Sequence, residues 1–315
     1  MPRNMQVFDA AAVRQRSPMA ALVRALRDAF AAGAEVPQRH VHALGEGGAS
    51  VLLMPAWRAG GRLGVKTVTV CPGNGALGLP GVHGLYSLFD ARTGVPLAVL
   101  DGSELTARRT AAASALAASY LARPDAARLL VVGAGRVAAL LPEAMRAVRP
   151  GLAEVRVWAR LPEAAAALAA RWRAEQGLAA EPATDLAAAV RAADVVSCAT
   201  LATAPLVRGE WLSSGSHLDL IGSFTPVMRE SDAACFARAS AWVDTTEALV
   251  KAGDVLQAIA EGAFRADRLQ GTLADLVHGR CAARGSEGEI TLFKSVGNAI
   301  EDLAAAELVL DARPG

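Results

Sequence analysis

The alternation of apolar and polar residues divides the chain into two kinds of territory. From Leu129 onward, short apolar runs recur and are separated by helical patterns. Leu129–Val132, Val155–Ala159, Val195–Ala199, Leu218–Ile221 and Ala241–Asp244 read as buried strands, with Glu163–Glu175 and Leu186–Ala192 among the helices between them. Strands of this kind, alternating with helices, predict a parallel sheet covered on both faces. Pro142 falls inside the first of these helices and is expected to bend it or end its first part, because proline has no N–H to donate. The first 120 residues or so behave differently. Met19–Ala32 carries Leu22, Val23, Leu26 and Phe30 at helical spacing. Glu35–Leu100 is rich in Gly and Pro, with short apolar runs at Val51–Met54, Gly64–Val70 and Leu85–Phe89 that read as antiparallel strands joined by turns. Ser103–Leu121 predicts a long helix leading across to the second territory, and Gly297–Asp311 a helix that returns to pack on the first.

The strand Leu129–Val132 runs directly into Gly133-Ala134-Gly135-Arg136-Val137-Ala138, a G-x-G-x-x-A pattern that opens an alanine-rich helix. That context gives the pattern a mechanism. Gly133 permits the tight turn, Gly135 lets backbone approach a pyrophosphate, and Ala138 is small enough for helix and strand to pack closely. The pyrophosphate would sit on the free N–H groups at the helix N-terminus. About 25 positions further on, Trp158-Ala159-Arg160-Leu161 lacks the acid that NAD-specific sites place near the ribose 2′-hydroxyl, and Arg160 offers a cation to a 2′-phosphate instead. Thr200 and Ile221 stand at the C-terminal ends of predicted strands, the edge at which such sheets bind ligands. The expected fold is therefore α/β, a Rossmann-type doubly wound nucleotide domain over 121–291. It is joined to an α+β substrate-binding and dimerisation domain over 1–120 with 292–315.

Charge and composition then narrow the choice. A net charge of +1 shows no basic excess, so nucleic acid is not an expected partner. No uncharged apolar run reaches the ~18 residues of a membrane span. The opening residues, Met1 to Gln6, lack a signal peptide's apolar stretch, and a cytoplasmic location is expected. Cys71, Cys198, Cys235 and Cys281 form no C-x-x-C pair, and His40, His42, His83, His217 and His278 show no metal-binding spacing, so no metal is expected. The G-x-S-x-G elbow of a serine hydrolase is absent. Lys66 stands out as a lone cation inside the apolar strand Leu63-Gly64-Val65-Lys66-Thr67-Val68.

Several segments together resemble the ornithine cyclodeaminase/mu-crystallin family, in family order and over nearly the whole chain. They are Val36-Pro37-Gln38-Arg39, Leu53-Met54-Pro55, Gly64-Val65-Lys66, Arg109-Thr110-Ala111-Ala112, the glycine loop and Phe293-Lys294-Ser295-Val296-Gly297. Val137 departs from the pattern, standing where many relatives carry Gln. The segment from Ile221 to Glu230 resembles the bacterial ketimine reductases of this family, and Phe224 takes the place of an aspartate that handles the substrate amine in ornithine-deaminating members.

The resemblance implies roles. Arg39, Lys66 and Arg109 would hold a substrate carboxylate, and Lys66 would also serve as the catalytic residue that manages a proton at the substrate nitrogen. Beside two arginines its ammonium is expected to have a lowered pKa through like-charge repulsion. Arg109 and Thr110 would border the cofactor, Lys294 and Ser295 would lie near its nicotinamide, and Arg136, Val137 and Ala138 would complete the loop that holds it. The implied activity is NAD(P)H-dependent reduction of a cyclic ketimine carboxylate, Δ1-pyrroline-2-carboxylate or Δ1-piperideine-2-carboxylate, to L-proline or L-pipecolate. NADPH is expected to be preferred, with NADH accepted, and the protein is expected to be a homodimer. The competing readings are an NAD-recycling ornithine or lysine cyclodeaminase, an ammonia-dependent keto-acid dehydrogenase, and a non-catalytic NADPH-binding protein like mu-crystallin.

Overall fold

The computed structural model describes residues 5–45 and 48–312; Met1–Asn4, Glu46, Gly47 and the last three residues lie outside that description. The chain divides into two compact units, one formed by Met1–Arg109 with Asn298–Gly315 and the other by Thr110–Gly297.

The first unit is built on a mixed six-stranded sheet among the described residues. Its strands are β1 (Gln6–Phe8), β2 (His40–Ala43), β3 (Ser50–Trp57), β4 (Arg62–Val70), β5 (Val82–Asp90) and β6 (Pro96–Asp101), in the spatial order β1-β6-β5-β4-β3-β2. All neighbours run antiparallel except β1 and β6. Side chains alternate between faces along a strand, and one face of this sheet is buried through Met54, Ala56, Tyr86, Leu88, Ala98 and Leu100. Lys66 lies in the same alternation, opposite Met54 on one side and Tyr86 on the other. The C-terminal helix Ala299–Asp311 packs on β3, β4 and β5 and against the helix Met19–Ala32. Arg58 and Arg62, flanking the β3–β4 turn, pin that helix through Glu307 (2.6 Å) and Asp311 (2.6 Å). Met19–Ala32 buries Leu22, Val23, Leu26 and Phe30, the predicted stripe, and stops at Gly33, whose N–H caps Ala29 O. The opposite face of the sheet is also apolar yet open, with Val7 and Leu85 exposed and Val51, Leu53, Val65 and Val99 half-buried.

The second unit holds an all-parallel eight-stranded sheet: β7 (Arg128–Val132), β8 (Glu154–Trp158), β9 (Ala179–Pro182), β10 (Val195–Cys198), β11 (His217–Leu220), β12 (Ser240–Val243), β13 (Gly271–Thr272) and β14 (Thr291–Lys294). The order is β13-β12-β14-β11-β10-β7-β8-β9, so the winding reverses beside β7, between it and β10. Such a reversal opens a crevice at the carboxyl ends of the two strands. The fold is the expected α/β arrangement of a doubly wound parallel sheet with a separate mixed-sheet unit.

Two expectations change. Pro142 does not bend a running helix: the chain leaves the glycine loop through a 3-10 turn, Ala138–Leu140, and Pro142 sits in the opening turn of the α-helix Leu141–Val148. There its missing N–H is harmless, because first-turn donors have no intrahelical partner. The unit boundaries fall at Arg109/Thr110 and Gly297/Asn298 rather than at 120/121 and 291/292. At the later boundary the reason is β14, which pairs with β11 and β12 and so keeps residues 291–297 in the second unit. Among the described residues no helix is long and apolar enough to cross a membrane.

Candidate active site

The crevice edge of the second unit is shaped by the glycine loop. Gly133 N–H donates to Trp158 O (2.8 Å), which sets the loop against the end of β8. Its φ of +121° is one that L side chains rarely adopt, and a Cβ there would lie 2.6 Å from Ala199 O at the end of β10. A Cβ at Gly135 would meet nothing within 4 Å. Gly133 is thus required by the protein itself, whereas the open space at Gly135 suits close approach of a ligand's phosphates. Exposed Arg136 and half-buried Val137 lead into Ala138, which is fully buried. The N–H groups that begin this helical segment are the donors a pyrophosphate would use. Arg160 is exposed just beyond β8. The residues fit a dinucleotide.

Behind the loops at the ends of β10 and β11 lies a buried ionic network that was not anticipated from the sequence. The Glu230 carboxylate accepts the N–H of Thr200 (2.7 Å), the Thr200 hydroxyl (2.9 Å), and the N–H groups of Gly222 (2.7 Å) and Ser223 (3.3 Å). Asp254 Oδ1 accepts the N–H groups of Glu230 and Ser231, both at 2.8 Å, while its Oδ2 faces Lys294 Nζ at 3.3 Å. Burial pushes the Glu230 carboxyl up to about 7; Lys294 opposes that shift and Asp254 adds to it. Ser295 Oγ donates to Asp244 (3.0 Å), whose carboxylate also accepts the N–H groups of Val296 and Gly297.

In the first unit, Lys66 and Arg109 meet on one carboxylate. Lys66 Nζ lies 2.7 Å from Asp302 Oδ2, and Arg109 Nε donates to Asp302 Oδ1 at 2.8 Å. Arg109 Nη1 also donates to Glu301 Oε2 at 2.7 Å. All four side chains are buried. Two cations and two anions leave this cluster formally neutral, which makes such deep burial tolerable. Lys66 is held at about 8; burial is the main cause, with Arg109 adding to it and Asp302 and Glu301 opposing it. The expected lowering is present, but desolvation outweighs the repulsion foreseen as its source. The Asp302 carboxyl is held below its usual range because Arg109 and Lys66 overcome the upward push of burial.

The predicted substrate residues are therefore brought together unevenly. Lys66 and Arg109 share Asp302. Arg39, half-buried, stands just before β2; His40 pairs with Leu53, so the register carries Arg39 toward Met54, which is opposite Lys66. Half-buried Thr110 follows Arg109 across the unit boundary. Of the predicted cofactor residues, Gly133, Gly135, Arg136, Val137, Arg160 and Thr200 lie at the crevice edge or its loops, and Ile221 is mostly buried at the end of β11. Lys294 and Ser295 spend their polar atoms inside the unit, on Asp254 and Asp244, with the Lys294 side chain fully buried. That pairing makes the ammonium an internal brace. Glu301, Asp302 and Glu230 went unread. Adjacent acids in an otherwise Ala- and Leu-rich helix were the available signal for the first two.

A glycine loop at the reversal point of a doubly wound sheet, in a chain whose other unit buries a lysine–arginine pair, defines a dinucleotide-dependent oxidoreductase architecture. The sequence profile of the ornithine cyclodeaminase/mu-crystallin family matches residues 3–314, and the chain belongs to that family. It is 43% identical over 293 residues to the Δ1-pyrroline-2-carboxylate reductase of Paracoccus denitrificans, covering 91% of this chain and 92% of that one. The structure of Thermococcus litoralis Δ1-pyrroline-2-carboxylate reductase with NADH and L-proline superposes with a TM-score of 0.92 at 31% identity, covering 98% of this chain and 97% of that one. An archaeal alanine dehydrogenase dimer with bound NAD superposes with a TM-score of 0.90 at 30% identity, over 98% and 95%.

Asp302 gives the cation cluster a direct test. Asp302→Asn keeps the shape but leaves Glu301 as the one acid balancing two buried cations, and breaking a buried pair costs about 3–5 kcal/mol. Urea unfolding should show a loss of that size; a loss under about 1 kcal/mol would mean that Asp302 is not what balances Lys66 and Arg109.

Proposed function

We propose that the protein reduces the C=N bond of a cyclic imino acid, Δ1-pyrroline-2-carboxylate or its six-membered homologue, to the corresponding L-amino acid, with NADPH preferred over NADH. The observation that carries this reading is the buried Lys66–Asp302–Arg109 arrangement, in a family whose named relatives include reductases of that imine. A cyclic imino acid offers one carboxylate and one basic nitrogen. Arginine binds a carboxylate through a planar fork, and lysine adds a compact ammonium. Asp302 takes one donor of each and so fixes where the others aim. Arg39 adds a third cation to the same reading.

The dinucleotide, bound at the glycine loop, supplies the hydride; one proton is also consumed, leaving the oxidised cofactor and a secondary amine. Lys66 has its own part in that proton balance. Held near 8, its ammonium is charged at neutral pH yet close enough to titration to exchange a proton with the substrate nitrogen. An iminium carbon accepts hydride more readily than a neutral imine, so a proton kept on the nitrogen aids the step. Phe224, half-exposed in the loop after β11, brings no acid to handle the second amine of ornithine, which disfavours cyclodeamination.

NADPH oxidation at 340 nm with Δ1-pyrroline-2-carboxylate is expected, while ornithine with NAD should release no ammonia. Only charged Lys66 attracts a carboxylate, so kcat/KM should fall as pH rises through about 8. Lys66→Ala should lower kcat/KM by at least about a hundredfold, since it loses both anchoring and proton handling. Turnover of ornithine but not of the imine, or near wild-type kcat/KM for Lys66→Ala, would overturn the reading. Exposed Arg160, with no acid beside it, supports the NADPH preference. Arg160→Ala should weaken NADPH by about tenfold and leave NADH nearly unchanged, in line with the value of a charge-assisted phosphate contact; equal effects on both would remove the residue from that role. The open apolar face with Val7 and Leu85 supports a dimer formed through a second copy of the sheet. Sedimentation should give twice the monomer mass, and Val7→Lys with Leu85→Lys should give the monomer; a wild-type monomer would refute it.

A further inference from the structure

Glu230 belongs to no role considered so far, yet its buried carboxylate accepts four hydrogen bonds. Its side chain reaches back eight residues to the N–H of Gly222 and thirty to that of Thr200. One oxygen therefore holds the loop after β10 and the other the loop after β11. The junction is tight: a Cβ on Gly222 would lie 2.1 Å from Thr200 O and 2.3 Å from Glu230 Oε1. The loop after β11 is closed on itself by Ser223 Oγ donating to Met228 O (2.7 Å), and Arg229 N–H donates to Ala202 O in the loop after β10 (2.7 Å). Its tip carries Phe224 and Val227, both exposed. Asp254 fixes Glu230 from behind and is itself faced by Lys294.

We propose that Glu230 is a positioning residue for dinucleotide binding: by holding Thr200 and Gly222 on one carboxylate it sets the spacing of the two strand-end loops that flank the crevice. This inference rests on the reading of that edge as the dinucleotide site. Four donors converge on the carboxylate, and an ionised carboxylate has about four acceptor positions to meet them. A protonated carboxyl has fewer, and its own O–H would point into a ring of donors. The groups around it are Thr200 and the Cys198 thiol from the β10 side, Gly222 and Ser223 beyond β11, Asp254 from the helix Gly253–Ala260 and Lys294 from β14. Protonation of Glu230 therefore releases at least one loop, and the edge loses its fixed spacing.

The test is NADP+ affinity by calorimetry for wild type and Glu230→Gln between about pH 6 and about pH 8.5, a range spanning the Glu230 carboxyl at about 7. Taking the ratio of the two dissociation constants at each pH cancels titration of the ligand's own phosphate. The amide turns two donors toward the N–H groups, so the variant should bind about tenfold or more weakly at the upper end. Toward the lower end the ratio should narrow to about threefold or less, as wild type protonates and loses the same contacts. A ratio that stays constant with pH, or equal affinities throughout, overturns the inference and leaves the dinucleotide reading intact. Failure of wild type to bind either NADP+ or NAD+ at any pH overturns the dinucleotide reading first. Should the variant not fold, wild-type affinity for NAD+, which has no group titrating near neutrality, decides the matter: weakening below about pH 7 supports the role and a flat profile refutes it.

Discussion

A buried carboxylate between two cations is the constraint on which the first unit's chemistry depends. Without Asp302, Lys66 and Arg109 would have Glu301 alone to balance them in a water-poor interior, and the ammonium would give up its proton more readily. With it, the pair is neutralised locally and held at defined angles, because each cation donates to a different oxygen. Glu301 takes a further arm of Arg109. The helix that supplies both acids is fastened to the sheet at its far end by Arg58–Glu307 and Arg62–Asp311. The C-terminal helix is thus the scaffold of the buried cation pair that is proposed to anchor substrate.

The nucleotide unit solves a related problem by the opposite arrangement. There a carboxylate gathers neutral backbone donors, with a lysine one step further back on Asp254. Gathering N–H groups orients backbone, whereas gathering cations orients side chains. The difference matches the ligands each unit is read to hold: phosphates and a planar ring seat against loops, and a small carboxylate needs charged donors at close range.

What the sequence revealed follows the range of the interactions involved. The glycine loop was legible because its meaning lies within six adjacent residues and the strand before them. Lys66 was legible because a lone charge in an apolar strand is costly and demands a reason. Asp302 and Glu301 were not, since acids in a helix's first turn are common as solvated partners of the helix dipole. Only the packing of that helix on β3 to β5 turns them inward. Glu230 was quoted within a family segment but given no role, because its partners are backbone groups eight and thirty positions away. Lys294 was legible only as part of a segment at the ligand edge; that its ammonium faces Asp254 depends on packing between distant residues. The end of the nucleotide unit was misplaced because β14 joins its sheet late in the sequence, after the run of regular strand and helix alternation has ended.

The same buried charges impose a measurable cost on the fold. Glu230 and Asp219, both pushed up to about 7 by burial, favour folding when protonated; that stability is present below the ordinary carboxylate range and lost as pH rises through about 7. Lys66, depressed to about 8, carries the opposite dependence: its contribution is present above the ordinary lysine range and lost as pH falls through about 8. Near neutral pH the protein therefore keeps Lys66 charged, and Glu230 within its titration range, against the preference of its interior. A core optimised for stability alone would replace such groups by apolar residues of similar volume. The presence of Lys66 in the cation cluster and of Glu230 behind the strand-end loops is what a functional constraint on those two positions predicts. His217 shows the contrast: depressed to about 3 by burial, it stays neutral and bonds Thr291 within the core, so its burial destabilises only in acid.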